Sequence, residues 1–249
     1  MLPLGFANDL MATLNGLRQE FDEHGSPPRL FHYTSWHALL GIIESRSIRA
    51  TWIQNQRDYA ELQYGADLVY EEIRETRQRG VDDFGQEILS SIVYMMRAKT
   101  RHTYVACFCA NPKSRFHSQR YGDYCLTFET NRAGAPLLRP SVSNVNVQYC
   151  RVIYGEQQQR AAVQKTVAAV LEALARNTLG EPQGPWMSPN AQRFARIASE
   201  LLVHLIIAKR PSFADEEEWR IVVSPHVALC SSAPDEHEAA FELLVQTDG

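Results

Sequence analysis

The chain has 249 residues, of which 45% are hydrophobic, and its formal net charge is −4. This length and apolar content are enough to build a full hydrophobic core, which predicts a globular protein. The net charge provides no whole-chain attraction to nucleic acid or to an anionic membrane, although a local basic groove is compatible with it.

The cysteine content and the apolar runs indicate a compartment. The five cysteines are an odd number at irregular spacing, which favours free thiols in a reducing cytosol over a disulfide framework. No apolar run approaches the ~20 residues that a membrane-spanning helix needs, and no secretory signal is recognisable. We therefore expect a cytoplasmic protein that does not span a membrane.

The first 28 residues are predicted to form a helix and a linker. Leu10, Leu14, Leu17 and Phe21 recur at helical spacing within residues 2–21. Gly25, Pro27 and Pro28 then end this helix. Residues 29–249 are predicted to form a single domain.

The segment 29–48 predicts a strand followed by a helix. The strand ends at His32, Tyr33 and Thr34, and either Thr34 or Ser35 is a good N-cap for the helix. The apolar residues of that helix recur at helical spacing and predict a face that packs on a sheet; they are Trp36, Leu39, Leu40 and Ile43.

The rest of the chain alternates between helical and strand patterns. Helices are predicted around residues 62–73, 84–98, 156–177 and 189–209, and strands around 48–52, 104–109, 124–129, 145–154, 218–223 and 241–245. Residues 55–58, 111–123 and 179–189 are predicted to be loops. This pattern predicts an α+β fold with a mixed or split central sheet and helices around it.

Three polar groups interrupt the predicted strands. They are His32 with Tyr33 and Thr34, Arg120 with Tyr121 and Asp123, and Glu216 with Glu218 and Arg220. Alternation places Glu218 and Arg220 on the same face of their strand. Each group also has an ordinary structural interpretation: a half-buried, hydrogen-bonded histidine, an aromatic residue in a turn, and an ion pair on a sheet surface.

The acidic run at residues 215–218 has an electrostatic consequence. Like-charge repulsion among Asp215, Glu216, Glu217 and Glu218 is expected to raise the pKa of at least one carboxyl group, which would suit a general base. Arg220 would act against that rise.

We predict no metal site. Cys107 and Cys109, with His102 and His117 nearby, have the residue types of a zinc site. Alternation, however, places both cysteines on one face of a buried strand.

Several segments together carry a family resemblance. LFHYTSWHALLGIIESRSI, NQRD, ACF followed by HSQRYGDYCLTFE, VIY, and KRPSFADEEEWR occur in this order. In this order they resemble the bacterial domain-of-unknown-function 2971 family over most of residues 29–223. The family shows a Trp-Ser/Ala-His-Tyr pattern where this chain has residues 117–121, so Tyr121 is a better match than Arg120. It shows Asn-Asp-Pro at the NQRD loop, residues 55–58.

The first segment also resembles the ADP-ribosyltransferase superfamily, in which a His-Tyr-Glu set recurs on three separate strands and Glu-x-Glu occurs in some members. The resemblance implies that His32 binds a ribose hydroxyl of NAD and that Thr34 holds the nicotinamide amide. It implies that Glu218 binds the nicotinamide ribose and stabilises its developing positive charge, and that Glu216 orients or deprotonates the acceptor.

Further NAD-binding roles follow from the same resemblance. Tyr33 or Tyr121 would stack on the nicotinamide ring, and Arg49, Arg57 or Arg120 would bind the pyrophosphate. Asn55 and Arg220 complete the implied cofactor-binding set. The implied catalytic residues are Glu218, His32, Tyr121 and Glu216.

The resemblance predicts an NAD-dependent ADP-ribosyltransferase-like enzyme, a toxin or phage-defence effector that modifies nucleic acid or protein. Its cleft would be lined by His32, Tyr121 and Glu218. Two alternatives are an RNA 2'-phosphotransferase-like enzyme, which needs several arginines in one cleft, and a non-catalytic module that senses a nucleotide or a partner. The sequence does not predict an oligomeric state.

Overall fold

The structure is a computed structural model of the chain. It describes residues 29–55, 59–100, 102–113, 115–129, 138–140, 145–175, 198, 201–225 and 240–245. The predicted N-terminal helix, the predicted loop 179–189 and Arg57 lie outside these residues.

Eight strands and six helices are described. The strands are β1 (Arg29–Thr34), β2 (Ser47–Trp52), β3 (Tyr104–Cys109), β4 (Tyr124–Glu129), β5 (Leu138–Pro140), β6 (Val145–Arg151), β7 (Glu218–Pro225) and β8 (Ala240–Val245). The helices are α1 (Trp36–Ser45), α2 (Tyr59–Gln78), α3 (Asp83–Thr100), α4 (Arg115–Tyr121), α5 (Glu156–Ala175) and α6, described at residues 198 and 201–207. Short 3-10 turns cover Ile53–Asn55 and Pro211–Glu216.

The strands form one antiparallel sheet that divides at β3. One edge of β3 pairs with β7 along its whole length, and β7 pairs in turn with β6. The other edge pairs with β1 at Cys109 and with β2 at Tyr104 and Val105. From there β1 continues to β4, whereas β2 continues to β8 and β5. The prediction of helices around a central sheet is thus confirmed. The prediction of a mixed sheet is wrong for the described strands, whose pairings are all antiparallel and which form a single sheet that branches at β3.

Alternation along β3 and β7 separates two cores. Val105 and Val222 belong to a cluster that is packed by α2, α3, α5 and α6. Phe108, Trp219 and Ile221 belong to a second cluster on the opposite face, to which Ile42 of α1 adds. We call these the helical face and the apolar face of the sheet.

The connection from β1 to β2 departs from one prediction. Ser35 is the N-cap of α1, as predicted, and its hydroxyl accepts a hydrogen bond from the backbone N–H of Ala38. The prediction that Trp36, Leu40 and Ile43 pack on the sheet is wrong, because they are 49%, 38% and 59% exposed. The helix instead contacts the core through Ile42, so it is rotated away from the expected face.

The predicted loop 111–123 contains helix α4, so that prediction is also wrong. The residues that suggested a loop, Pro112 and Gly122, lie outside the helix at its two ends, where they do not interrupt its hydrogen bonds. Gly122 has φ +128, and a Cβ atom there would lie 2.4 Å from the carbonyl oxygen of Thr34. A glycine is therefore required for α4 to end against β1.

The described helices are too short or too polar to cross a membrane.

Candidate active site

Five charged side chains meet beneath the helices, at the start of β7. Glu61 comes from α2, Lys209 follows α6, Glu216 ends a 3-10 turn, and Glu218 and Arg220 lie on β7. Their side chains are between 4% and 12% exposed. We call this group the ion cluster.

Glu218 is held by three hydrogen bonds to its carboxylate. Arg220 donates from Nε to Oε1 at 2.8 Å and from Nη2 to Oε2 at 3.2 Å. Lys209 donates from Nζ to Oε2 at 2.9 Å. The backbone N–H of Glu218 donates to the hydroxyl of Tyr154 at 2.9 Å, which fixes the main chain at the first residue of the strand.

Glu61 closes the cluster into a ring. Its Oε2 lies 2.6 Å from Nη2 of Arg220, and its Oε1 lies 2.9 Å from Nζ of Lys209. Arg220 also donates to the carbonyl of Ile206, and Lys209 donates to Oε2 of Glu216. Each cation therefore meets two or more carboxylates, as buried charges require.

The cluster holds the carboxylate of Glu218 ionised. Burial alone would raise the pKa of Glu218, but Arg220 and Lys209 lower it to about 2. Burial alone would likewise lower the pKa of Lys209 and of Arg220, and Glu218 raises both. Opposite charges at close range in a poorly solvated site favour the charged forms.

Glu216 differs from its neighbour. Its pKa is raised, first by burial, with Glu218 and Glu61 adding to the rise and Lys209 opposing it. Its Oε1 is buried and has no hydrogen-bond partner within the described part of the chain. The expected rise within the acidic run is thus confirmed, with burial as its largest cause, and it falls on Glu216 rather than on Glu218.

Backbone contacts place Lys209 within the cluster. Gln159 of α5 donates from Nε2 to the carbonyl of Lys209 at 2.8 Å and also to that of Ile153. The hydroxyl of Tyr64 donates to Oε1 of Gln159 at 2.8 Å. Lys209 and Glu61 were not predicted to be site residues. The signal for Lys209 was its position directly after an almost uninterrupted apolar run, where a lysine needs a partner.

An aromatic stack lies on the same face as Glu218. The ring centroids of Tyr33 and His117, and of His117 and Tyr121, are each 5.7 Å apart. Burial lowers the pKa of His117 and raises that of Tyr121, and the charge of Glu218 raises both. Tyr121 is 37% exposed, whereas Tyr33 is buried and donates to the carbonyl of Pro112 at 2.6 Å. Tyr121 is therefore the accessible ring beside the ion cluster.

His32 lies on the opposite face of the sheet. Phe31 is opposite Cys109, and Cys109 is opposite Glu218, so these three side chains share the helical face. The next residue, His32, points to the apolar face, and its ring centroid lies 5.3 Å from that of Phe108. A cleft lined on one face by His32, Tyr121 and Glu218 is therefore not what the register produces.

The ring of His32 occupies the gap in the sheet. Its Nδ1 lies 2.9 Å from the carbonyl oxygen of Cys107. Cys107 lies in β3 between Val105, which pairs with β2, and Cys109, which pairs with β1. Burial lowers the pKa of His32, so the ring is neutral, and a carbonyl only accepts. We infer that Nδ1 carries the proton and that Nε2 is an acceptor.

The remaining predicted residues are dispersed. Thr34 is buried at the end of β1, Arg49 is exposed on β2 opposite Glu242, and Asn55 ends a 3-10 turn. The guanidinium of Arg120 lies 5.6 Å from the ring centroid of Phe116 and 5.9 Å from that of Tyr121. Of the predicted cofactor-binding arginines, Arg220 belongs to the ion cluster and Arg120 borders Tyr121.

No three or more His, Cys, Asp or Glu side chains of the described residues are grouped to hold a metal ion. Burial raises the pKa of the Cys107 and Cys109 thiols, which disfavours the thiolate form.

Comparisons of the chain with family models, with curated proteins and with solved structures found no match.

Proposed function

We propose that the chain is an NAD-dependent ADP-ribosyltransferase-like enzyme. The observation that carries this proposal is a buried carboxylate, Glu218, that is held ionised near an accessible aromatic ring, Tyr121. A negative charge fixed in a site of low dielectric stabilises a positive charge that develops nearby. Cleavage of the nicotinamide glycosidic bond develops such a charge on the ribose.

The reaction that these residues support is a displacement at C1' of the nicotinamide ribose. The C1'–N bond breaks, and nicotinamide leaves with the bonding electron pair. A nucleophilic atom of the acceptor forms the new bond to C1', and its proton passes to the carboxylate of Glu216. Glu216 suits this role because its raised pKa makes it the stronger base of the two carboxylates.

Binding of the ribose requires an exchange of hydrogen bonds. Glu218 already accepts from Lys209 and from Arg220. A ribose hydroxyl would take the place of Lys209 at Oε2, and Lys209 would keep Glu61 and Glu216 as partners. Arg220 would remain and hold the carboxylate in position.

Tyr121 would bind the nicotinamide end of the dinucleotide, whereas the position of His32 does not suit the role that the resemblance implies for it. Tyr121 is the residue that stacks on nicotinamide, because Tyr33 is buried against His117. His32 lies on the face of the sheet opposite to Glu218, and its ring occupies the gap between β1 and β2. One NAD molecule therefore does not meet both side chains, and the proposal rests on Glu218 and Tyr121.

We propose nucleic acid or protein as the acceptor that the enzyme modifies. A role as a toxin or phage-defence effector rests on the family resemblance alone. The RNA 2'-phosphotransferase alternative is not favoured by any described contact, because Lys209 and Arg220 are each engaged by carboxylates. The remaining alternative is a non-catalytic sensor, which would not release nicotinamide from NAD.

The test is nicotinamide release from NAD by the purified full chain, with and without cell lysate. Glu218→Gln is expected to lower the release rate by about 100-fold or more while NAD binding persists. The matched control is Glu72→Gln. Glu72 is a buried carboxylate on α2 that pairs with Arg79, just after that helix, and none of its described interactions reaches β7 or Tyr121. Release that is absent from the wild type, or equal in wild type and Glu218→Gln, would overturn the proposal.

A further inference from the structure

Exposed aromatic side chains gather around the end of β1. Seven large hydrophobic side chains are exposed among the described residues, and four of them are aromatic residues of this region: Trp36 (49%), Phe116 (37%), Tyr121 (37%) and Tyr124 (42%). We call these four residues the aromatic surface. Side chains of this size are usually buried, so their concentration in one place indicates a binding function.

The fold brings the four residues together. The rings of Trp36 and Tyr124 have centroids 5.3 Å apart. Tyr124 lies opposite Thr34 in the strand register, and Gly122 packs directly on the backbone of Thr34 and Ser35. The start of α1, the end of α4 and the start of β4 therefore meet at the end of β1. Tyr124 shares the apolar face with Thr34, whereas Tyr121 lies on the helical face beside His117, so the aromatic surface extends around this end of the edge strand β4.

Cationic side chains accompany the aromatic rings. The guanidinium of Arg120 lies within 6 Å of the ring centroids of Phe116 and Tyr121. Lys113 and Arg115 are exposed on the same segment, and Asp123 is the one acidic residue between residues 111 and 124. The first turn of α1 contains no acidic residue. This surface is thus locally basic in a chain whose net charge is −4.

We propose that the aromatic surface binds single-stranded nucleic acid. Rings with exposed faces stack on unpaired bases, and interspersed cations meet the phosphates. A duplex offers no unstacked bases. Protein–protein interfaces also use aromatic residues and Arg, but they are depleted in Lys and in charge at their core, so three cations with a single acidic residue favour a polyanion. Where the proposed function also holds, the bound strand is the acceptor: Trp36, Phe116 and Tyr124 would stack on its bases, next to Tyr121, which stacks on nicotinamide near Glu218.

Fluorescence anisotropy of the full chain tests this proposal. The probes are labelled oligothymidylate and oligouridylate of about 20 nucleotides and a duplex of the same length. We expect either single strand to bind about tenfold or more tightly than the duplex. The plot of log Kobs against log salt concentration should have a slope of about −2, from three cations at about 0.7 each.

Variants locate the binding. Trp36→Ala and Tyr124→Ala are each expected to weaken single-strand binding by about tenfold. Tyr94→Ala should leave binding unchanged, because Tyr94 is 56% exposed but lies on α3. The double variant Lys113→Gln/Arg115→Gln changes only exposed side chains and should reduce the salt slope by about 1.4.

Failure of this proposal is distinguishable from failure of the proposed function. Single-strand binding lost in Trp36→Ala/Tyr124→Ala, with nicotinamide release to water unchanged, would support the proposed surface. Three results would overturn the surface even if NAD is cleaved. They are no binding of either single strand, single-strand binding by Trp36→Ala/Tyr124→Ala as tight as that of the wild type, and tighter binding of the duplex than of the single strands. Binding without any nicotinamide release would keep the surface and overturn the enzyme.

Discussion

The two faces of strand β7 show how one strand serves two purposes. On the apolar face, Trp219, Ile221 and Val223 are nearly inaccessible and belong to a cluster of buried hydrophobic residues. On the helical face, Glu218 and Arg220 are equally buried but meet Glu61 and Lys209. Burial of apolar surface stabilises the fold with little directional demand. Burial of charge, in contrast, requires that every partner be present and correctly placed.

This difference has a structural cause in the elements that cover each face. The helical face receives Glu61 from α2 and Lys209 from the end of α6, which are far apart in sequence. Such a cluster forms only when the tertiary structure is complete. The contrast between the two faces can be tested by removing one group at a time.

Loss of Arg220 is expected to have the largest effect. Arg220→Leu leaves Glu218 and Glu61 with Lys209 as their one shared cation among the described residues, and removal of one partner from a buried pair costs about 3–5 kcal/mol in the free energy of unfolding. Urea denaturation would measure this cost. The control Arg29→Leu removes an ion pair whose side chains are 59% and 58% exposed, and should cost less than about 1 kcal/mol. Similar costs for both variants would remove the distinction between buried and exposed pairs.

Glu218 and Glu216 should give pH dependences of opposite sign. The pKa of Glu218 falls from 4.5 to about 2 on folding, so its contribution of about 3 kcal/mol is present above pH 4.5 and is lost as the pH falls towards 2. The pKa of Glu216 is raised on folding, so the folded state gains stability from its proton at low pH and loses it as the pH rises above 4.5.

Unfolding free energies of Glu218→Gln and Glu216→Gln, measured by urea denaturation across this pH range, check both signs. Glu218→Gln should be less stable than the wild type at pH 7, and the difference should shrink in acid. Glu216→Gln imitates the protonated carboxyl, so it should be close to the wild type in acid and relatively more stable as the pH rises. Parallel curves for the two variants would contradict the assigned protonation states.

A change on the apolar face should have the smallest effect. Ile221→Val removes one buried methylene group and is expected to cost about 0.5–1.5 kcal/mol. This cost should be the same within about 0.3 kcal/mol at every pH between 2 and 7, because the substitution alters no titratable group. A pH-dependent cost, measured by urea denaturation, would mean that the two faces are coupled.

The local pattern of the chain allowed much of the fold to be predicted. Alternation in β7 correctly placed Glu218 and Arg220 on one face, and Ser35 was among the two predicted N-caps of α1. These features depend on neighbouring residues only. The exposed face of α1 and the helix α4 were missed, because helix orientation and the position of Pro112 and Gly122 relative to a helix depend on packing.

The candidate site was predictable only in part. Glu218, Arg220, Glu216 and Tyr121 were all predicted, and the structure places them on one side of the sheet. His32 was expected beside them. The sequence does not reveal the pairing register between β1 and β3, and that register decides on which face of the sheet His32 lies. Glu61 lies just before the predicted helix 62–73, in a polar stretch where a carboxylate is ordinarily solvated, so its contact with Arg220 had no sequence signal.

We propose that the ionised carboxylate of Glu218 stabilises the positive charge that develops as the glycosidic bond of NAD breaks. The most direct measurement uses NAD that is labelled in its nicotinamide ring and follows the release of labelled nicotinamide. The wild type, Glu218→Gln and Glu72→Gln are compared at equal concentrations of folded protein. We predict that the wild type and Glu72→Gln release nicotinamide. The release rate of Glu218→Gln should be lower than that of the wild type by about 100-fold or more. No release by the folded wild type, or undiminished release by Glu218→Gln, would contradict it.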